Sequence, residues 1–323
     1  MKFHIQHNFN DWPHFYVSTF FNNLFEKLQN KYPEHEFIVV NYPEFDNLGY
    51  GSIFSCMNFS IINPDNDKYM VLSFFDNWKY HFMKHLGWKP EKMVKFFYPG
   101  GFNYLDYFHW RQNNVHNDDI YCPINIQDIY QSFYYQTYGP QNIEYSYSED
   151  TIDKIVFRGW LWPFREEMIS EIDDESISII EKRENKASKT LPYDEYLKEL
   201  SQHRCSLSLP GGTEICNRDI ECFAVGSPVI RPFVNIEYED PLIANYHYIS
   251  CFADIKYWNG FPEALDLKSF GKNLLDIWER VRYNKDYLMF ISKNARSWYE
   301  NNCTLENNIK YVLNKIDLED LNG

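Results

Sequence analysis

The chain has 323 residues, of which 44% are hydrophobic and 19% aromatic, with 26 Tyr, 26 Phe and 9 Trp. So much apolar surface excludes a disordered chain and suffices for two packed cores of ordinary size. The 31 Lys and Arg against 46 Asp and Glu leave a formal net charge of −15. That balance disfavours general binding to nucleic acid or to anionic membranes, which depends on basic side chains meeting phosphates.

In chain order, Phe3–Ile5 reads as a strand, and residues 14–29 as an amphipathic helix with Val17, Phe20, Phe21, Leu24, Phe25 and Leu28 on one face. Residues 37–40 form a β-branched strand. Two strand-like runs, 53–62 and 68–75, flank the turn signal Asn63-Pro-Asp, and 92–97 is a further strand. The polar, turn-rich stretch 138–150 marks a boundary, giving domains 1–145 and 146–323. Beyond it the pattern is strand 154–157, helix 163–170, strand 176–180, helix 193–201, strand 205–209, helix 214–225 ended by Gly226, and strand 228–231. Alternation of this kind predicts a doubly wound parallel sheet. From Leu267 onward the chain reads helical twice, to about Tyr299 and then over 304–316.

Cysteines at 56, 122, 205, 216, 222, 251 and 303 are scattered, with no zinc-ligand spacing. Met1-Lys-Phe-His reads as a first strand and not as a signal peptide. No apolar run approaches the roughly 20 residues of a membrane helix. A soluble, cytoplasmic chain with reduced thiols is expected. No Asp-x-Asp near a strand end was found, so neither a metal nor a resident cofactor is expected.

The sharpest segment is Leu207-Ser-Leu-Pro-Gly-Gly-Thr-Glu-Ile-Cys-Asn-Arg-Asp-Ile-Glu, a buried strand, a glycine loop and a helix start. Gly211 and Gly212, followed by Thr213, let backbone N–H groups approach an anion where the helix dipole is positive. Arg218 can reach the same anion with its fork. Glu221, three residues on, can accept hydrogen bonds from two ribose hydroxyls. The competing interpretation is a solvated ion-pair stripe of Glu214, Arg218 and Glu221. Arg158 follows the strand 154–157, where ligands sit in open α/β sheets, although a turn arginine there needs no ligand. Arg165, a cation near a helix start, has an explanation if it too meets an anion. His247 is placed either beside the donor or as a structural histidine.

Taken together, Phe157-Arg158-Gly159, Tyr193-x-x-Tyr196-Leu197, Ser206-Leu-Ser-Leu-Pro-Gly, Asn217-Arg218-x-x-Glu221 and Gly226-Ser-Pro-Val-Ile resemble the donor half of GT-B glycosyltransferases. The nearest branch is that of the protein O-glucosyltransferases and exostosin-like enzymes. The resemblance spans about residues 155–250. It implies two Rossmann-like domains facing across a cleft, with the C-terminal helices packing back on the N-terminal domain. It implies a diphosphate grip for Arg218 and Arg158 and a ribose grip for Glu221. The implied activity is metal-independent transfer from a nucleotide-diphosphate sugar, a UDP-sugar in the first instance, to a hydroxyl of a glycan, a protein or a hydroxylated DNA base. An inverting enzyme needs a general base, for which Asp76 is the first candidate and Asp46 the reserve. Asp76 also suits a helix cap or turn. The alternative class is a GT-B-like protein that binds nucleotide sugar and transfers nothing. The chain departs from the eukaryotic members in lacking their secretory signal and paired cysteines.

Overall fold

The computed structural model describes residues 1–6, 15–40, 58–73, 91–96, 133–136, 139–159, 161, 163–170, 172, 174–181, 191–210, 215–234, 240–258, 261–266 and 268–322. These form a mixed α/β protein of two compact units. Described residues up to 96, with 133–136 and those from Leu305 onward, belong to one unit, and those between 139 and 304 to the other. Among the described residues no helix is long and apolar enough to cross a membrane.

The first unit contains β1 (Lys2–Gln6), α1 (Phe15–Lys31), β2 (Glu36–Val40), β3 (Asn58–Ile62), β4 (Tyr69–Ser73), β5 (Lys92–Phe96) and β6 (Phe133–Gln136). They form one sheet in the order β2-β1-β3-β4-β5-β6. The predicted apolar stripe of α1 holds, with Phe20, Phe21, Leu24 and Leu28 fully buried and Phe21 stacked on Phe59 at 5.4 Å. The sheet is mixed, because β3 runs antiparallel to both β1 and β4. The turn between β3 and β4 is built by Asn63 and Asn66, whose side chains accept the N–H groups of Asp65 and Lys68. That turn holds Asp65-Asn66-Asp67, so the expectation of no Asp-x-Asp near a strand end is corrected. Among the described residues, however, no group of three or more His, Cys, Asp or Glu could hold a metal ion.

The second unit contains β7 (Ile152–Gly159), α2 (Pro163–Ile169), β8 (Ile177–Glu181), α3 (Tyr193–Gln202), β9 (His203–Leu207), α4 (Asn217–Val225), β10 (Val229–Arg231) and β11 (Ile249–Ser250). It continues through the hairpin β12 (Asp254–Trp258) and β13 (Phe261–Asp266) to α5 (Lys268–Val281) and α6 (Lys285–Asn302). Its five-stranded sheet is parallel throughout, in the order β11-β10-β9-β7-β8. From β7 the chain builds β8 on one side and β9 on the other, so the strand order reverses between β7 and β9. Outside the carboxyl ends of the strands, such a reversal leaves a crevice.

Strand alternation sorts the side chains. Ile155 and Phe157 of β7 and Cys205 and Leu207 of β9 join Met168 of α2 and Phe270, Leu274 and Trp278 of α5 in one core. On another side, α3 packs on α4 and α4 on α6. α4 ends at Gly226, whose φ of 70° is a left-handed cap that favours glycine. The predicted long helix to Tyr299 is two helices, because the Asn284 side chain accepts the Tyr287 N–H and starts α6 afresh. The chain ends with α7 (Leu305–Lys315) and a 3-10 turn (Leu318–Leu321), both in the first unit. There α7 packs on α1, and Lys31 and Tyr32 donate to the carbonyl of Ile316.

Beneath α4, Arg231 Nη1 lies 2.9 Å from Asp219 Oδ1, an ion pair with side chains only 1% and 0% exposed, its angles outside hydrogen-bond geometry. Asp219 Oδ2 also accepts the Cys216 N–H at 2.7 Å. Removing one partner of such a pair strands the other charge in the interior. Arg231→Met is therefore expected to lower the unfolding free energy by about 3–5 kcal/mol in urea titration. A loss below about 1 kcal/mol would show that the pair does not hold α4 in place.

Candidate functional site

Arg158, Arg165 and Arg218 come together near the carboxyl ends of β7 and β9. α4 begins at Asn217 and not at the expected Glu214, because Asp219 turns back to cap the Cys216 N–H. Arg218 therefore lies in the first turn. Its Nε and Nη2 both donate to the Arg158 carbonyl, at 3.0 and 2.5 Å, and its guanidinium lies 4.4 Å from the centre of the Phe157 ring. A Cβ on Gly159 would collide with Arg218 Nη2 and come within 3.2 Å of its Cζ. This explains the Arg-Gly pair at the end of β7, since only a residue without a side chain leaves the guanidinium its place. The remaining nitrogen, Nη1, is buried without a hydrogen-bond partner among the described residues. Burial opposes the charge of Arg218, but Tyr196, Cys216, Cys222 and Glu221 around it hold its pKa above the ordinary arginine value.

Arg165 approaches from α2. Only 6% exposed, it donates Nε to the Pro210 carbonyl at 2.7 Å and Nη2 to the Leu209 carbonyl at 2.9 Å. Its Nη2 also lies 3.6 Å from Cys216 Sγ. Burial and, less strongly, the charge of Arg218 push its pKa down. Two like charges thus converge on the switch point, each held by strand-end carbonyls. The backbone behind β9 is pinned just before Gly211, Gly212 and Thr213, which themselves lie outside the described residues.

Arg158 is placed differently from the sequence expectation of a diphosphate contact. Its side chain forms a two-point pair with Glu199 of α3, at 2.5 and 2.7 Å, while its carbonyl receives Arg218. Arg158 therefore aims another arginine through its backbone.

Glu221, one turn beyond Arg218, makes no ion pair with it among the described residues. Tyr193 Oη donates to its Oε1 at 3.1 Å and Tyr196 Oη to its Oε2 at 2.9 Å. Burial raises the Glu221 pKa, against the lowering action of Tyr196, Arg218 and Tyr193. The solvated stripe offered as the competing interpretation does not form between Arg218 and Glu221. Glu214 lies outside the described residues.

His247 belongs elsewhere. It is buried, its Nδ1 accepts the Ile243 N–H at 2.9 Å, and its ring packs against Tyr246 and Trp298. Burial lowers its pKa. With its Nδ1 engaged by backbone and its ring packed on aromatic neighbours, the geometry supports the structural alternative. Asp76 and Asp46 lie outside the described residues. Sequence reasoning assigned no role to Glu199 and gave Tyr193 and Tyr196 only as part of a resemblance. Their signal was the spacing i, i+3, i+6, which places all three along one face of α3.

Two outcomes follow from this geometry. Gly159→Ala dislodges the Arg218 fork and should weaken binding of inorganic pyrophosphate about tenfold by calorimetry. Unchanged affinity would show that the fork does not serve an anion. Glu221, with its folded pKa raised above the unfolded value, contributes stability that is present below the unfolded pKa and is lost as pH rises through the folded pKa. Relative to Glu221→Gln, the natural chain should therefore lose melting temperature between pH 4 and pH 8. A flat difference across that range would contradict it.

No protein-family model matches the sequence, and neither does any curated protein. Among solved structures, the chain is similar to sucrose-phosphate synthase from Thermosynechococcus elongatus, at 10% identity and a TM-score of 0.40, over 72% of this chain and 68% of that one. It is similar also to a glycosyltransferase from Rickettsia africae, at 12% identity and a TM-score of 0.39, over 97% of this chain and 84% of that one. Likeness at these scores has no bearing on the activity.

Proposed function

We propose that the crevice beside β7 and β9 binds the diphosphate and ribose of a nucleotide sugar, and that the protein transfers the sugar to an acceptor hydroxyl. One observation carries the assignment. Arg218 is locked by the Arg158 carbonyl and the Phe157 ring, with its Nη1 buried and unpartnered among the described residues, one helical turn from a half-buried carboxylate. A guanidinium held in this way suits a phosphate oxygen, because its orientation is settled before the anion arrives. The carboxylate suits a diol. Arg165 and the start of α4 add positive potential where a leaving diphosphate gathers charge.

The donor is a nucleoside diphosphate sugar, with UDP the first base to test. The acceptor is a glycan, a protein hydroxyl or a hydroxylated base. Asp76, with Asp46 in reserve, is the proposed general base of an inverting reaction, taking the proton from the acceptor hydroxyl as its oxygen bonds to the anomeric carbon and the diphosphate departs.

A thermal-shift panel of UDP, GDP, ADP and CDP tests the binding step. At saturation one of them should raise the melting temperature by several degrees, and Arg218→Ala should abolish the shift. No shift with any of them would end the nucleotide assignment. For the nucleotide that binds, the corresponding sugar donors should be slowly hydrolysed. Asp76→Asn should then lower turnover more than donor affinity. Binding without turnover, with every acceptor class offered, would favour the non-catalytic alternative.

A further inference from the structure

We propose that Tyr193 and Tyr196 are positioning residues that decide specificity. Their hydroxyls, one on each oxygen of Glu221, aim the carboxylate to read a vicinal diol, so that the site takes ribonucleoside diphosphates over their 2′-deoxy counterparts. This rests on the nucleotide assignment above.

A glutamate has a soft last torsion, and a carboxylate held at one oxygen still swings about it. Donors on both oxygens remove that freedom. Tyr196 supplies one at 2.9 Å and Tyr193 the other at 3.1 Å. Both come from one face of α3, with ring centroids 6.2 Å apart and planes tilted by 39°, so the two donors reach the carboxylate from a single helix. Burial pushes the Tyr196 pKa well up, with the nearby Glu221 charge adding to it, so this hydroxyl stays a donor.

Each carboxylate oxygen has two lone pairs. One on each is taken by a phenol, and among the described residues no hydrogen bond takes the other. The partner that uses both is a pair of adjacent hydroxyls. A 2′-deoxy sugar offers one and leaves an oxygen of a half-buried carboxylate unanswered, the situation in which polar sites reject an analogue most strongly. A clasp serving only to join α3 to α4 has no need of the Tyr193 bond, because that side chain is 45% exposed and such a bond adds little stability.

The test uses the full chain and calorimetry with UDP and 2′-deoxy-UDP, and with the same pairs of GDP, ADP and CDP. Phenylalanine keeps the rings, so Tyr193→Phe, Tyr196→Phe and the double variant are compared, with folding checked by circular dichroism. The natural chain is expected to prefer the ribose form about tenfold, and the double variant to fall to about two- or threefold. Tyr193→Phe alters only an exposed hydroxyl, and by itself should also reduce the ratio. Equal affinity for both sugars in the natural chain, or an undiminished ratio in folded variants, overturns the positioning role and leaves the nucleotide assignment standing. A merely structural clasp would weaken both ligands in parallel and leave the ratio where it was. Binding of none of these nucleotides overturns both proposals.

Discussion

A guanidinium can engage one carbonyl oxygen through two of its nitrogens only when that oxygen lies along one edge of its plane, and the ligand end of the parallel sheet is built around this constraint. Arg218 meets the Arg158 carbonyl in this way. Three separate features of β7 make the contact possible. Residue 158 lies at the carboxyl end of the strand, the Phe157 ring supports the cation, and residue 159 has no Cβ to obstruct it. The third nitrogen is then directed without further choice. A positive charge is presented at the switch point with its rotational freedom already removed, which lowers the cost of ordering it when an anion binds.

Holding cations with carbonyls has an electrostatic consequence. A carboxylate partner would cancel the charge, whereas a carbonyl dipole orients it and leaves most of its field intact. Arg218 and Arg165 are both held by strand-end carbonyls. The carboxylates close by are committed to other groups. Asp219 serves Arg231 and the cap of α4, Glu199 serves Arg158, and Glu221 is bracketed by two phenols. The chain is acidic overall, yet Arg218 and Arg165 stand near one another at this end of the sheet. Net charge therefore says little about what a single site attracts.

Much of this second unit was legible in the sequence. Strands and helices from β7 to β10 lie within a few residues of their predicted places, because apolar runs of strand length alternate with helical spacing and are separated by Gly and Pro. Arg218 and Glu221 stand out in the sequence because a glycine loop before a helix start is itself a chemical signal. Other features were hidden for physical reasons. The start of α4 depends on Asp219 folding back to Cys216, a choice that local propensity does not make. The hairpin of β12 and β13 was missed although Asn259-Gly260 stands between the two runs, since neither run is strongly apolar. Arg158 was read as a ligand contact because its place at a strand end is visible in sequence. Its partner Glu199 is 41 positions away and is brought near only by the packing of α3.

The same distinction separates two kinds of residue in the site. The proposed ligand contacts, Arg218 and Glu221, sit on α4, where the dipole favours an anion. Those that aim them come from another helix, α3, through Tyr193, Tyr196 and Glu199. A helix can carry a charged group, but on its own it cannot fix the last torsions of a long side chain exposed at its surface. Fixing them takes contacts from a second direction, and a doubly wound sheet supplies that direction because neighbouring helices on one face lie side by side. In this chain α3 packs directly on α4, so three α3 residues spaced three apart can hold an acid on one element and a base on another. Moving α3 relative to α4 would therefore disturb the Glu221 carboxylate directly and Arg218 through Arg158. On this view the packing of two helices is itself part of the binding chemistry.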